Sequence, residues 1–398
     1  MRRRSTVGFF SVRFWVETGL VTSTPTSVST PSGADAGTPI RLGTRGSALA
    51  MTQSGTVARR IEHLTGRRVE LVRIRTEGDV RTGSLASLGG TGVFVTALRE
   101  ALLDGRCDVA VHSLKDLPTT PHPGLTFVTP EREDPRDALC ARDGLTLATL
   151  PTGARVGTGS PRRAAQVRAV RPDLEVVDIR GNVGTRLDRA LGPEADLDAV
   201  VLATAGLKRV DKTDVISEYI PVETMAPAPG QGALAVEVRT ADVVPGDAGT
   251  VPDTGLADAL ADLDDPATRL AVLAERSVLA RLEAGCAAPV GAHAVLSDGG
   301  LHLRSAVAAV SGAGRITRTM SADLGPYAAG NRACADPELD EIARDLGVRM
   351  AESLLALGAH ELAPLGSPVT LATGVPSAVG PAPVTDAARP LHGDTERA

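Results

Sequence analysis

Aromatic residues are scarce in this chain of 398 residues, at 2 % of the total, and half of them lie within the first fifteen positions. The core must therefore be built from valine, leucine, isoleucine and alanine, and the stacking surfaces that bind single-stranded nucleic acid are nearly absent. The net charge of −6 and the isoelectric point near 5.7 also argue against a general nucleic-acid binder. No run of about 20 apolar residues is present, so we expect no membrane-spanning segment.

Cysteine is also rare, with single residues at positions 107, 140, 286 and 334. These are too few and too scattered for a disulfide scaffold, and no two have the C-x-x-C spacing of zinc knuckles or thioredoxin-like motifs. A reducing cytoplasm is the compartment that fits best, and we expect no metal site. Lysine stands at only three positions (115, 208 and 212) among 42 basic residues, so each one is notable against the preference for arginine.

The two ends of the chain differ in composition from its body. Residues 1–39 are mostly small, polar or proline residues behind a basic start, and we expect a disordered extension. A secretory signal is the alternative, but Arg13 and Glu17 interrupt its apolar run and no small-residue cleavage site follows closely. Residues 363–398 lack apolar periodicity and are rich in proline, which predicts a disordered tail.

Strand and helix patterns alternate between these ends. The order β-α-β-α-β over residues 40–113 predicts a parallel sheet covered by helices, and a similar order recurs over residues 154–203. Ser47 and Ser160 are placed to cap the first helix of each half, with Pro161 at the first helical position of the second. The sequence thus predicts an α/β fold of two doubly wound lobes around a cleft, where ligands bind at the carboxyl ends of strands.

The domain boundaries follow from changes in pattern. We expect lobe 1 to comprise residues 40–130 together with 232–245, and lobe 2 to comprise residues 131–231. The Gly-, Pro- and Asp-rich residues 240–265 are predicted to form a linker. A long helix, three alternating strands and a final helix then predict a smaller α+β domain over residues 262–362.

Arginine is concentrated in residues 155–189, which hold eight arginines and only four acidic residues. Arg162 and Arg163 lie in the first turn of a predicted helix, where the helix dipole disfavours cations. A pair of cations there is explained if an anion docks at the helix N-terminus. Arg45 lies in the matching loop of the first half. The simpler interpretation, a solvated arginine-rich helix face, stays open, above all for the arginines later in the helix.

A second candidate site is HSLKD (112–116), where an apolar strand ends in charged residues. Asp116 is a candidate general acid or base, and Lys115 is a candidate anion ligand or Schiff-base nucleophile. The simpler interpretation is an ordinary turn at the end of a strand. His112 is expected to be a buried polar group with its hydrogen bonds satisfied.

Two further segments attract attention. Cys286 lies in LEAGCAAPVG, a loop of small residues with little packing demand, so a reactive thiol competes with the usual role of a lone cysteine as a small buried hydrophobe. The glycine-rich segment SLASLGGTGVFV (84–95) matches neither the P-loop nor the dinucleotide-binding pattern. That favours a mobile lid over a phosphate cradle.

Taken together, these segments resemble the porphobilinogen deaminase family. The resemblance covers residues 40 to about 362, and no single motif carries it. The matching segments are GTRGSALA (43–50), GGTGVFVTALREALL (89–103), DVAVHSLKDLP (108–118), EREDPRDAL (131–139), RGNVGTRL (180–187), ATAGLKR (203–209), PGQGAL (229–234) and LEAGCAAPVG (282–291).

The resemblance implies a three-domain fold with two lobes similar to type II periplasmic binding proteins. It also implies a transferase, hydroxymethylbilane synthase, which joins four porphobilinogens with loss of ammonia and releases 1-hydroxymethylbilane by hydrolysis in tetrapyrrole (haem) biosynthesis. The chain would grow on a covalent dipyrromethane cofactor, one per protein chain, held by a thioether to Cys286. Asp116 matches the family's catalytic acid/base. We expect a cytoplasmic monomer that acts on porphobilinogen, with no nucleic-acid or membrane partner.

Other family residues bind the acid groups of cofactor and substrate. Porphobilinogen carries an acetate and a propionate, so each added ring brings two carboxylates, for which planar guanidinium groups are good partners. In the glycine-rich loop, this chain has Ser87 and Thr91 where the family often has lysines. The matching binding residues are Arg45, Ser47, Lys115, Thr158, Ser160, Arg162, Arg163, Arg180, Arg186 and Arg209.

Two other functions compete with this one. A non-catalytic module that binds an anionic solute would have the same two lobes and the same basic cleft, but it would not need Cys286. An enzyme that forms a Schiff base on Lys115 would be trapped by borohydride in the presence of substrate.

Overall fold

Three sheets organise the chain. The structure is a computed structural model that describes residues 37–75, 92–244, 252–285, 288–325 and 336–365. Within those ranges the strands are β1 (Ile40–Thr44), β2 (Val69–Arg73), β3 (Val109–Ser113), β4 (Leu125–Val128), β5 (Asp137–Ala141), β6 (Arg155–Gly157), β7 (Glu175–Val177), β8 (Ala199–Ala203), β9 (Glu218–Ile220), β10 (Leu234–Arg239), β11 (Val290–Ser297), β12 (Gly300–Ala308) and β13 (Arg315–Asp323).

Helices cover the sheets. They are α1 (Ala48–Thr65), α2 (Gly92–Leu103), α3 (Pro161–Val170), α4 (Val183–Leu191), α5 (Thr204–Arg209), α6 (Thr240–Val243), α7 (Thr254–Leu263), α8 (Pro266–Arg281), α9 (Pro337–Ala356) and α10 (Ala359–Leu362). Three short 3₁₀ turns span Leu114–Asp116, Arg142–Gly144 and Thr213–Val215. Among the described helices, none is both long enough and apolar enough to cross a membrane.

The first two sheets repeat one topology. The first has the order β2-β1-β3-β10-β4 and the second β7-β6-β8-β5-β9. In each, the first three strands are parallel, whereas β10 in one and β5 in the other run antiparallel to both neighbours. The predicted parallel order over residues 40–113 and 154–203 is therefore confirmed, and the antiparallel strands come from outside those two stretches. Each sheet receives one strand from a segment where the chain passes between the lobes, and that strand enters in the opposite direction.

Apolar side chains fill both faces of these sheets. In the first lobe, α1 and α7 pack on one face and α2 on the other. In the second lobe, α3 contributes to one face and α4 and α5 to the other. Helices on both faces of each sheet make the two lobes doubly wound, as predicted.

The third sheet is an antiparallel meander, β11-β12-β13. One face packs against α8 and α9 through Leu270, Leu303, Leu346 and other buried aliphatic residues. This is the predicted smaller α+β unit, with its long helix, three strands and final helix in the predicted order.

The predicted linker over residues 240–265 contains two helices, α6 and α7, so that expectation is wrong for its described part. Asp253 caps α7, and its side chain accepts a hydrogen bond from the backbone N–H of Leu256 at 3.0 Å. Leu256 and Leu260 join the core beside α1. The glycine and aspartate residues around α7 favour a linker in the sequence, so this short amphipathic helix was not predicted.

Several predictions fall outside the described residues. Nearly all of the predicted extension (1–39) and tail (363–398) lies there, as do Cys286 and most of the glycine-rich segment, including Ser87 and Thr91. The domain boundaries stay a prediction.

Candidate active site

The 3₁₀ turn Leu114–Asp116 follows β3 at the carboxyl edge of the first sheet. Because β1 runs parallel to β3, Arg45 and Ser47, which follow β1, lie at the same edge. Gln53 of α1 donates from Nε2 to Ser113 Oγ at 3.2 Å and so ties the helix to the end of β3. The expected convergence of strand ends is present in the first lobe.

The predicted hydroxyl residues organise local backbone. Thr158 is buried at the end of β6, and its Oγ1 accepts from the backbone N–H of Ser160 at 3.3 Å. Ser160 is the N-cap of α3, and its Oγ accepts from the N–H of Arg163 at 3.5 Å. Ser47 caps α1 in the same way, accepting from Ala50 at 3.3 Å. Both caps are as predicted, and the role of these hydroxyls toward a ligand stays a prediction.

Asp116 is half-buried at the end of the 3₁₀ turn. Within the described ranges, its carboxylate makes no hydrogen bond and no ion pair. The negative charge of Asp116 acts on the neighbouring Lys115, where it raises the pKa of the ammonium group. A carboxylate with all its acceptor positions unused in the fold is available to a substrate.

Lys115 stands beside it in a strongly cationic environment. Burial lowers the pKa of Lys115 to about 8, and Arg163 and Arg162 act in the same direction against Asp116 and Asp137. Its Nζ donates to Gln231 Oε1 at 3.4 Å, at the long end of hydrogen-bond distance.

Arg162 and Arg163 are buried and share one carboxylate, that of Asp137 on β5. Arg162 Nη1 lies 2.8 Å from Asp137 Oδ2, and Arg163 Nη2 lies 2.8 Å from Oδ1. Burial alone would raise the pKa of Asp137, but the two guanidinium groups outweigh it and hold that pKa well below its usual range. Asp137 was not singled out from the sequence, although EREDPRDAL places an acid at the start of this strand. The predicted binding of ligand carboxylates by these arginines stays a prediction.

The remaining arginines leave positive charge unbalanced. Burial and the neighbouring Arg163 and Arg180 lower the pKa of Arg186. Among the described residues, Arg186 Nε donates to the carbonyl of Gly181 at 2.8 Å, while Arg180 pairs at 3.1 Å with the exposed Asp178. The structure thus joins Lys115, Asp116, Arg162, Arg163, Arg180 and Arg186 in a single electrostatic cluster.

Arg209 lies apart, near the segment that returns to the first lobe. Its Nη2 donates to the carbonyl of Gly232 at 2.7 Å, and burial lowers its pKa against the charge of Glu133. Among the described residues, neither this hydrogen bond nor the charges that act on Lys115 connect Arg209 to the cluster around Lys115.

The donors of this cluster fit a ligand with several carboxylates. The Nε atoms of Arg162 and Arg180 are buried and have no hydrogen-bond partner among the described residues. Buried donors without partners are costly, and an anionic ligand would satisfy them. A dipyrromethane built from rings that each carry two carboxylates has the chemistry that these donors require.

Helix α8, which packs on the third sheet, also contacts the turn Leu114–Asp116. Arg276 donates to three backbone carbonyls of the turn and the residues after it, those of Leu114, Leu117 and Pro118, at 3.4, 3.1 and 2.6 Å. Sequence analysis missed this residue, because only the tertiary fold brings α8 to the turn.

We expect Arg276→Met to lower turnover by about 10- to 100-fold, because a catalytic group displaced by about 1 Å loses this order of rate. Steady-state assays at saturating substrate measure the effect. Arg281→Met is the matched control, since Arg281 lies on the same helix and forms only an exposed pair with Glu352. Equal rates in the two variants would show that the turn does not depend on Arg276.

His112 is buried, as predicted, whereas its Nε2 is one of the buried polar atoms that make no hydrogen bond of good geometry among the described residues. Its Nε2 lies 3.2 Å from Glu237 Oε2, and Arg99 of α2 pairs with the same carboxylate at 2.8 Å. Burial alone would raise the pKa of Glu237, but His112 and Arg99 outweigh it and lower that pKa. No cluster of His, Cys, Asp or Glu that could hold a metal is found in the described part of the chain.

Fold and site together define a two-lobed α/β protein with a carboxylate beside an arginine-rich cluster. Family models identify it further: "Porphobilinogen deaminase, dipyromethane cofactor binding domain" matches residues 40–244, and the C-terminal domain of porphobilinogen deaminase matches residues 269–356. The chain belongs to the porphobilinogen deaminase family.

Curated relatives agree with the family models. The chain is 53 % identical over 327 residues to porphobilinogen deaminase of Leifsonia xyli, with 82 % of this chain and 94 % of the relative covered. It is 54 % identical over 355 residues to the Micrococcus luteus enzyme, with 81 % and 94 % covered. The predicted family, transferase class and dipyrromethane cofactor are confirmed, and a solute-binding module is not favoured.

Among solved structures, a periplasmic substrate-binding protein of an ABC transporter from Coxiella burnetii matches with a TM-score of 0.34 and 17 % identity, covering 57 % of this chain and 93 % of that one. The methionine-binding protein MetQ matches with a TM-score of 0.34 and 15 % identity, covering 56 % and 89 %. The predicted mixed α/β fold class, with a smaller C-terminal domain, is confirmed by the sheets and the family models.

Proposed function

We propose that this chain is a hydroxymethylbilane synthase in which Asp116 is the catalytic acid/base. The observation that carries the proposal is the Asp116 carboxylate, which has no partner in the described fold and lies beside Lys115 and a surplus of guanidinium groups. The dipyrromethane, when bound, would supply the pyrrole carbon to which the first new ring is joined.

In this proposal, the Asp116 carboxylate stabilises the positive charge that develops as ammonia leaves porphobilinogen. A carboxylate stabilises such a charge electrostatically, and it can accept the proton that the attacking pyrrole carbon loses. Because no group of the described fold uses its oxygens, Asp116 can point both at a pyrrole N–H and at that proton.

In this proposal, the arginines bind the carboxylates of the cofactor and the substrate and so orient both molecules. Arg180 Nε is buried without a hydrogen-bond partner among the described residues, and the charges of Arg163 and Arg180 act on Arg186. Planar guanidinium donors bind carboxylates in two-point contacts. Lys115, with Arg162 and Arg163 behind it, provides a further cation at the start of the cluster. Arg45, Ser47, Thr158, Ser160 and Arg209 complete the proposed binding set.

Cys286 is the proposed attachment point of the cofactor, through a thioether. We further propose that residues 40–130 with 232–245, residues 131–231 and residues 262–362 are the three domains of a cytoplasmic monomer. The cofactor would then be tethered by the third domain, while the binding residues belong to the two lobes.

The intact mass of the denatured protein tests the attachment. We expect the purified chain to carry extra mass equal to two linked pyrrole rings, because a thioether survives denaturation. The same mass should be absent from Cys286→Ala. Cys140→Ala is the matched control, since Cys140 is a buried thiol whose pKa burial raises to about 12.

An unmodified wild-type chain would call for a second measurement after addition of porphobilinogen. Mass added in substrate-sized steps would identify the first sample as apo-enzyme. If nothing attaches, or if Cys286→Ala keeps the extra mass, the proposed attachment is wrong.

A further inference from the structure

Gln231 lies where the chain returns from the second sheet to the first, and its side chain is 1 % exposed. Both neighbours are glycines with left-handed backbone, Gly230 with φ of 75° and Gly232 with φ of 91°. A Cβ on Gly232 would lie 2.4 Å from the carbonyl oxygen of Glu133. The motif PGQGAL therefore has a physical reason: only glycines on either side allow the chain to carry this glutamine into the interior.

The orientation of the Gln231 amide is fixed by its partners. Nε2 donates to the carbonyl of Pro135 and to Asp137 Oδ1, both at 2.8 Å. Both partners are acceptors, so this atom must be the nitrogen, and Oε1 must face the other way. Oε1 accepts from Lys115 Nζ and from Arg163 Nη2, each at 3.4 Å.

The amide thus connects the turn that bears Asp116 with the buried Asp137 cluster. The turn is joined to the same segment by its backbone, since Leu114 N–H donates to the carbonyl of Ala233 at 3.1 Å. Charged groups that act on Lys115 are Asp116 on its own turn and Arg162, Arg163 and Asp137 in the second lobe. Gln231 is uncharged, and its Oε1 accepts the hydrogen bond from Lys115 Nζ.

We propose that Gln231 is a positioning residue whose neutral amide holds Lys115 beside Asp116 without cancelling the positive charge of the cluster. A carboxylate at this position would form an ion pair with Lys115 and remove a cation that substrate acids require. An apolar side chain would leave the ammonium without its acceptor. The inference rests on the proposed function, which supplies the roles of Lys115 and Asp116.

The test is the pH dependence of Lys115 acylation in the holoenzyme, read by peptide mass spectrometry with an amine-reactive acetylating reagent. Lys208 and Lys212 are the only other lysines and serve as internal references on the same chain. The midpoint of Lys115 in the wild-type protein is the reference value with which the variants are compared. In Gln231→Glu, we expect the midpoint to rise by about 1–3 pH units, because an opposite charge in contact favours the ammonium.

Gln231→Met provides the second arm, with an expected shift in the opposite direction, because the acceptor that stabilises the ammonium is lost. A Lys115 midpoint that stays at its wild-type value in both variants would overturn the proposal, as would a decline in turnover with no change in labelling. The references should not move in either variant. Labelling requires no turnover, so a failure of the proposed role of Asp116 would leave these midpoints informative.

Discussion

Replacing Asp116 with asparagine is expected to lower the turnover of porphobilinogen by about 10²–10⁴-fold, the usual contribution of a general acid or base. The protein should fold normally, because the carboxylate makes no hydrogen bond or ion pair among the described residues. Asparagine preserves the shape of the side chain and removes its charge and its basicity. Steady-state kinetics together with a thermal melt separates loss of chemistry from loss of fold.

Asp104→Asn is the matched control for this prediction. Asp104 is an exposed aspartate of the same lobe, with a 3.4 Å pair to Arg106, and its loss should leave turnover unchanged. The intact mass of Asp116→Asn should still show attached pyrrole rings, which would place its defect after cofactor attachment. Turnover within a factor of two of wild type would remove Asp116 from the mechanism.

Local signals in the sequence predicted much of the fold. Ser47 and Ser160 cap their helices because a hydroxyl before an apolar-periodic segment satisfies free N–H groups within three residues. Strand β3 is predicted by the apolar run that ends at HSLKD. Such features depend on neighbours in the chain, so one sequence is sufficient to recognise them.

Features that depend on the tertiary fold could not be found this way. Strand β5 carries only five residues, and its direction is set by pairing with β8 and β9. The partnership of Asp137 with Arg162 and Arg163 joins residues 25 and 26 positions apart through that pairing. The arginines were recognised as unusual in a first helical turn, but an internal carboxylate, rather than a ligand alone, accounts for them.

Substitutions at Asp137 and Asp116 should therefore have different effects: loss of Asp137 should lower stability, whereas loss of Asp116 should lower turnover. Asp137→Asn should destabilise the protein by about 3–5 kcal/mol, because it leaves two buried guanidinium groups without their counter-ion. Asp345→Asn is the matched control, since its pair with Arg349 is exposed and worth little. Denaturant unfolding measures the free energy of unfolding of both variants. The comparison requires that this free energy falls with denaturant concentration at the same slope in each.

The pH dependence of stability gives this prediction its sharpest form. The folded-state pKa of Asp137 lies below the ordinary value of 3.8, so the folded state binds this proton less readily than the unfolded chain. The stabilisation of the fold by ionised Asp137 is therefore fully present above the unfolded-state pKa of 3.8. It is lost as the pH falls below 3.8 and through the lower folded-state pKa. Unfolding curves of Asp137→Asn should therefore lose less stability below about pH 4 than those of the wild type. If the two proteins decline in parallel, or if Asp137→Asn costs no more than Asp345→Asn, the buried carboxylate does not hold the arginine cluster together, and the surplus positive charge of the site must be balanced elsewhere.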